Sequence, residues 1–79
     1  MNIQLLLFGI IRDIVGENKL DLTISKGTTV EKLKRQLATT YFELSNYDYS
    51  VAINEAYAKA DMELKNNDTV ALIPPVSGG

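Results

Sequence analysis

Lys19 to Ser25 alternates apolar and polar positions without a break, with Leu20, Leu22 and Ile24 on one side and Asp21, Thr23 and Ser25 on the other. A period of two predicts a strand with one face in water, of the kind that pairs antiparallel with a neighbour. Two further stretches are apolar on both sides. Ile3–Phe8 sends Ile3, Leu5 and Leu7 one way and Gln4, Leu6 and Phe8 the other; Thr69–Ile73 sends Val70 and Leu72 one way and Ala71 and Ile73 the other. Strands without a wet face belong in the middle of a sheet. Val51–Ile53, Asn54-Glu55 and Ala56–Ala58 read as a short hairpin, because asparagine tolerates the left-handed turn position.

The period changes to that of a helix after Gly27-Thr28-Thr29. Val30, Leu33, Leu37, Ala38 and Tyr41 fall on one face, and Glu31, Lys32, Lys34, Arg35 and Gln36 on the other. Thr28 with Glu31 has the spacing of a capping box, and Glu31 with Arg35 that of an i, i+4 ion pair. Lys32, Lys34 and Arg35 read as an ordinary solvated face. Ile10, Ile11, Ile14 and Val15, closed by Gly16, predict two short helical turns with Arg12 and Asp13 outward. Tyr41, Phe42, Tyr47 and Tyr49 have no clean period and read as aromatics closing the end of a small core. Met62 and Leu64 are expected as inward anchors of a turn. Asn66-Asn67-Asp68 is expected as a tight turn with Asn67 at positive φ.

The order is therefore strand, short helix, strand, long helix, hairpin, strand: an α+β domain with a mixed sheet of four or five strands, one main helix and a short helix after the first strand. One helix covers one face of a sheet, yet both central strands are apolar on both faces. Either the short helix and the Tyr41–Tyr49 stretch cover the second face, or it is an apolar patch open to a partner. The patch is preferred, with Phe8, Tyr57 and Ile73 as its members, because the chain's C-terminal segment leaves from the same region.

Composition narrows the chemistry. The 79 residues contain no cysteine and no histidine. No disulfide, thiolate site, Ser-His or Cys-His nucleophile can be built, and the commonest metal ligand is missing. No metal site and no stand-alone catalytic centre is expected; Asp61 and Glu63 read as solvated turn carboxylates. A net charge of −2 gives nucleic acid and anionic membranes no electrostatic attraction. No apolar run approaches the ~20 residues of a membrane span, and Met1 leads into a strand without a basic leader, so a cytoplasmic location is expected.

What remains is the end of the chain, Ile73-Pro74-Pro75-Val76-Ser77-Gly78-Gly79. Two prolines stop the last strand and send the chain out extended. Two glycines, without Cβ atoms, can thread a slot too narrow for other residues. Residues 1–73 are expected to form the domain and 74–79 a flexible arm with a carboxylate at its tip.

The run from Val70 to Gly79 closely resembles the end of the molybdopterin synthase small subunits, the sulfur carriers of the MoaD/ThiS family. Leu7-Phe8 with Ile11–Gly16, Gly27–Val30 with Leu33, Val51–Asn54 and Leu64–Val70 resemble successive parts of the same family. Asn67 departs from it, standing where glycine is commoner. The resemblance implies a ubiquitin-like β-grasp fold and a sulfur-donating role without a catalytic centre or bound cofactor. It implies that an E1-like enzyme consumes ATP to adenylate the Gly79 carboxylate, that a sulfur donor protein makes the thiocarboxylate, and that the large synthase subunit receives the tail for sulfur transfer to a cyclic pterin precursor. Arg12 is implied in docking the activating enzyme. Two other uses of the same tail stay open: a ThiS-like carrier for thiazole synthesis, which usually lacks the Pro-Pro pair, and a ubiquitin-like modifier joined to lysines through Gly79.

Overall fold

The structure, a computed structural model, describes residues 1–75. Strand β1 (Asn2–Leu7) leads into helix α1 (Gly9–Val15) and strand β2 (Lys19–Thr23); helix α2 (Val30–Thr40) and a 3₁₀ turn (Phe42–Asn46) follow, then β3 (Ser50–Ile53), β4 (Ala56–Tyr57) and β5 (Thr69–Ile73). The five strands form one mixed sheet in the order β2-β1-β5-β3-β4. β1 pairs antiparallel with β2 and parallel with β5, and β3 is antiparallel to both β5 and β4. This is the α+β mixed sheet the pattern predicts and the ubiquitin-like β-grasp the family resemblance implies, and the two doubly apolar strands are adjacent in its middle.

One face of the sheet holds the core. Ile3, Leu5 and Leu7 of β1, Val51 and Ile53 of β3, and Val70 and Leu72 of β5 are buried with Val30, Leu33 and Leu37 of α2. Each leucine or isoleucine so buried contributes about 1.5–3 kcal/mol, and this one cluster is the main source of stability in so short a chain. Helix α1 adds Ile11 to the same cluster, and the stretch after α2 adds Leu44 and Tyr49. Lys34 holds that stretch to α2: its ammonium donates to the Tyr49 carbonyl at 2.7 Å and lies 4.5 Å from the centre of the Tyr49 ring. Burial pushes the Tyr49 hydroxyl up from its ordinary pKa.

Polar groups lock the turns. The hairpin turn has Asn54 at φ 49° and Glu55 at φ 73°, the left-handed pair that matches strand twist. The Asn54 amide donates to Asp68 Oδ1 at 2.9 Å and its Oδ1 accepts from the Thr69 amide at 3.0 Å; Asp68 Oδ2 accepts from the Lys65 amide at 2.7 Å. Asp68 is buried and fully engaged, so the hairpin turn and the entry to β5 are one unit. Asn67 takes φ 69°, as expected.

Three expectations need correction. The cap of α2 is Thr29, whose hydroxyl accepts from the Lys32 amide; Thr28 is buried and its hydroxyl donates to the Ser25 carbonyl instead. Met62 is half exposed because the segment around it is held by its backbone, with the Val30 amide donating to the Met62 carbonyl at 3.0 Å, so Leu64 anchors that segment alone. Phe42 does not close the core: it is 77% exposed, and Leu44 and Tyr49 do that work.

Candidate functional site

Among the described residues, the helices and the aromatic stretch all pack on one side of the sheet. Ile11 of α1, Leu44 and Tyr49 all belong to the cluster that α2 covers. Neither the short helix nor the Tyr41–Tyr49 stretch crosses to the other side, which decides between the two sequence readings in favour of an open face.

Strand register gives the content of that face. Gln4 and Leu6 of β1, Thr69, Ala71 and Ile73 of β5, Ser50 and Ala52 of β3 and Tyr57 of β4 alternate with the core residues and point away from α2. Leu6 and Ala71 are register partners, as are Ala71 and Ala52, and Ala52 and Tyr57. Leu7 pairs with Leu72, so the parallel strands carry Phe8 and Ile73 out of the same end of the sheet. Phe8 is 46% and Tyr57 76% exposed; Ile73 is half-buried. The structure thus brings Phe8 and Ile73 together at one end and sets Tyr57 on the far side of the same face. Arg12 and Phe8 line one hollow with Leu6, Asn18 and Lys19. Arg12 meets Asp13 only at 3.9 Å with both side chains exposed, a pair worth little, so the guanidinium remains available to a partner.

Leu6, Ala52 and Ala71 were not singled out from the sequence, although they form the centre of the face. The signal was the second apolar side of β1 and β5. What alternation could not supply was which residues of separate strands stand opposite one another.

The stem of the tail is held on both edges by the sheet and against Gly9. β5 is hydrogen-bonded on both edges, by β1 and by β3. Pro74 then packs over Gly9 so closely that a Cβ there would lie 3.1 Å from Pro74 Cγ, and Gly9 has φ +53°. A side chain at position 9 would be strained by its backbone and would press on the proline. Pro74 is half-buried and Pro75 exposed. Val76, Ser77, Gly78 and Gly79, the remaining predicted site residues, lie outside the described residues. No helix among the described residues is long and apolar enough to cross a membrane.

The pattern of the ThiS family matches residues 5–79. A molybdopterin synthase sulfur carrier subunit from Dictyostelium discoideum is 34% identical, over 96% of this chain and 94% of its own length. A solved molybdopterin converting factor subunit 1 from Pyrococcus furiosus superposes with a TM-score of 0.89 at 22% identity, covering 96% of this chain and 99% of that one. A protein–protein complex of subunits 1 and 2 of molybdopterin-converting factor from Helicobacter pylori contains a chain that matches with a TM-score of 0.69 at 23% identity, covering all of both chains. These two solved structures share the fold.

Proposed function

The chain belongs to the ThiS family, and on that premise we propose that it is the sulfur carrier subunit of a molybdopterin synthase. Its working atom is the carboxyl carbon of Gly79. A carboxylate resists nucleophilic attack, whereas its adenylate does not, so an E1-like enzyme consumes ATP to form the acyl-adenylate at Gly79. Sulfur supplied at the sulfide level by a donor protein then attacks the acyl carbon, the C–O bond to AMP breaks, AMP leaves, and Gly79 ends in a thiocarboxylate. The large synthase subunit takes Pro74, Pro75, Val76, Ser77, Gly78 and Gly79 into its own site, where the sulfur passes to a cyclic pterin precursor. The carrier supplies no acid, base, metal or bound cofactor; it presents the tail and docks, in the cytoplasm.

The observation that carries this reading is the continuity of the open apolar face with the stem. Ile73 ends β5 on that face, and Pro74-Pro75 leave directly from it. A partner that receives the tail therefore meets Phe8, Ile73 and Tyr57 at the same time, with Arg12 beside them. The 34%-identical relative is named for molybdopterin synthase, which favours this pathway over thiazole synthesis.

The test is the intact mass of the chain after incubation with ATP, the activating enzyme and a sulfur source. The expected result is a gain equal to one oxygen replaced by sulfur, located at Gly79. Linkage to a lysine would instead establish the modifier reading. Removal of Gly79, or addition of one residue after it, is expected to abolish sulfur transfer and leave the thermal melt unchanged; normal molybdopterin formation with a blocked terminus would falsify the role.

A further inference from the structure

β1 and β5 run parallel, with Leu7 opposite Leu72. One residue further along each strand, Phe8 accompanies Ile73; at the next, Gly9 accompanies Pro74. There the two strands part. β1 turns off into α1, where the Ile11 and Arg12 amides donate to the Phe8 carbonyl at 3.1 and 3.3 Å, while β5 continues as Pro74-Pro75. Gly9 sits in the fork. Gly9, Gly16 and Gly27 all take positive φ, but they do not use the missing side chain alike. Among the described residues, a Cβ at Gly16 would meet nothing within 4 Å, and one at Gly27 only a Glu63 carboxylate oxygen at 3.9 Å. A Cβ at Gly9 would meet Pro74 Cγ at 3.1 Å and Pro74 Cβ at 3.9 Å. The proline ring thus occupies the space that a side chain at position 9 would take. The strand before it cannot move aside as a unit, because Leu72 is paired with both Leu7 and Val51, and Ile73 with Ser50. A side chain at position 9 would therefore push Pro74 about a fixed Ile73. What changes is the direction in which the chain leaves, and two consecutive prolines, each with φ fixed near −65°, carry that direction onward.

We propose that Gly9 is a positioning residue for sulfur loading: its bare backbone seats the Pro74 ring and thereby aims the Gly79 carboxylate at the activating enzyme's ATP. The inference rests on the sulfur-carrier reading and adds what sets the tail's line of departure. Gly9 touches no reacting atom and acts only through Pro74. Its effect is one of alignment, and misplacing a reacting group by about 1 Å can cost about 100-fold in rate. The surface by which the domain is held is not altered by a methyl in the fork. A misdirected tail therefore lowers kcat and leaves KM nearly as it was.

The experiment measures adenylation as isotope exchange between pyrophosphate and ATP, since the Gly79 carboxylate displaces pyrophosphate from ATP when the adenylate forms. It uses the E1-like activating enzyme of the same organism and the full-length chain as the varied substrate: wild type, Gly9→Ala and Gly9→Val, each also combined with Pro74→Ala. Gly9→Ala is expected to lower kcat by about threefold and Gly9→Val by about tenfold or more, with KM within about twofold of wild type. Pro74→Ala removes the Cγ that the new side chain meets, so in that background either substitution at position 9 costs less than about twofold. Strain confined to the backbone of residue 9 would not be relieved by trimming Pro74. A folded Gly9→Val chain with wild-type kcat overturns the inference, and so does a loss of the same size with and without Pro74→Ala. Circular dichroism checks folding; should Gly9→Val not fold, Gly9→Ala decides by the same two criteria. If wild type supports no exchange, the carrier reading falls and the role of Gly9 with it; if wild type exchanges and the folded variants match it, only the role of Gly9 is lost.

Discussion

Leu5 and Leu6 are neighbours on β1 with the same side chain and opposite surroundings. Leu5 is 0% exposed in the core; Leu6 lies on the open face beside Ala71. The same division runs along β5, where Val70 and Leu72 are sealed under α2 while Ala71 and Ile73 face outward. The two faces are built from alternate residues of the same strands, so the sheet that holds the fold together also displays the open apolar face. The inner face is close-packed, and a lost methylene is felt there. The outer face retains apolar area that the chain does not bury by itself. The tail's stem leaves from the middle of the sheet, between these two faces, with Ile73 and Pro74 half-buried and Pro75 exposed.

Adjacent substitutions test that division. Leu5→Ala is expected to destabilise the domain by about 2–5 kcal/mol, read from urea unfolding; a loss much smaller than this would mean that the inner face is not the core. Ile73→Asp is expected to weaken binding of the large subunit by about tenfold, or about 1.4 kcal/mol, with a smaller effect on the unfolding midpoint. An unchanged dissociation constant would remove Ile73 from the docking face. Thr29→Ala removes the cap of α2 and should cost about 1 kcal/mol, whereas Thr28→Ala tests instead the buried bond to Ser25. Leu6→Ala should cost about 1 kcal/mol or less in stability and leave a folded chain that docks less well, the reverse of Leu5→Ala.

Alkaline titration probes the inner side alone. Burial raises the pKa of Tyr49, so the folded state holds its phenolic proton more tightly than the unfolded chain does. Its contribution to stability is fully present below the unfolded value of about 10 and is lost as pH rises through the higher folded value. Unfolding free energy measured across that window should fall less steeply in Tyr49→Phe than in wild type. Identical slopes would show that Tyr49 is not sequestered.

Alternation along β1, β2 and β5 sufficed to assign those three strands and to separate their inward from their outward residues, because a side-chain period of two is a local property of extended backbone. Asn54 and Asn67 announced left-handed turn positions for the same reason: their conformational tolerance is carried by the residue itself. The pairing of Leu6 with Ala71 could not be read this way, since it joins residues 65 positions apart in the sequence through a parallel crossover. Nor could the choice of Thr29 over Thr28 as cap, which turns on where Thr28 is drawn by Ser25 and the core. Met62 looked like an anchor by composition, yet backbone bonds tie its segment to the start of α2, from the Val30 amide to the Met62 carbonyl and from the Glu31 amide to the Ala60 carbonyl, and its side chain is left half in water.

Sequence alone thus determined which residues are apolar, how they alternate, and that a Pro-Pro pair and a Gly-Gly pair follow the last strand. Tertiary structure decided which of the two apolar faces is covered. One long helix, the short helix and the aromatic stretch all pack on the same side, since a single contiguous core buries more apolar surface than two partial ones in a chain of this size.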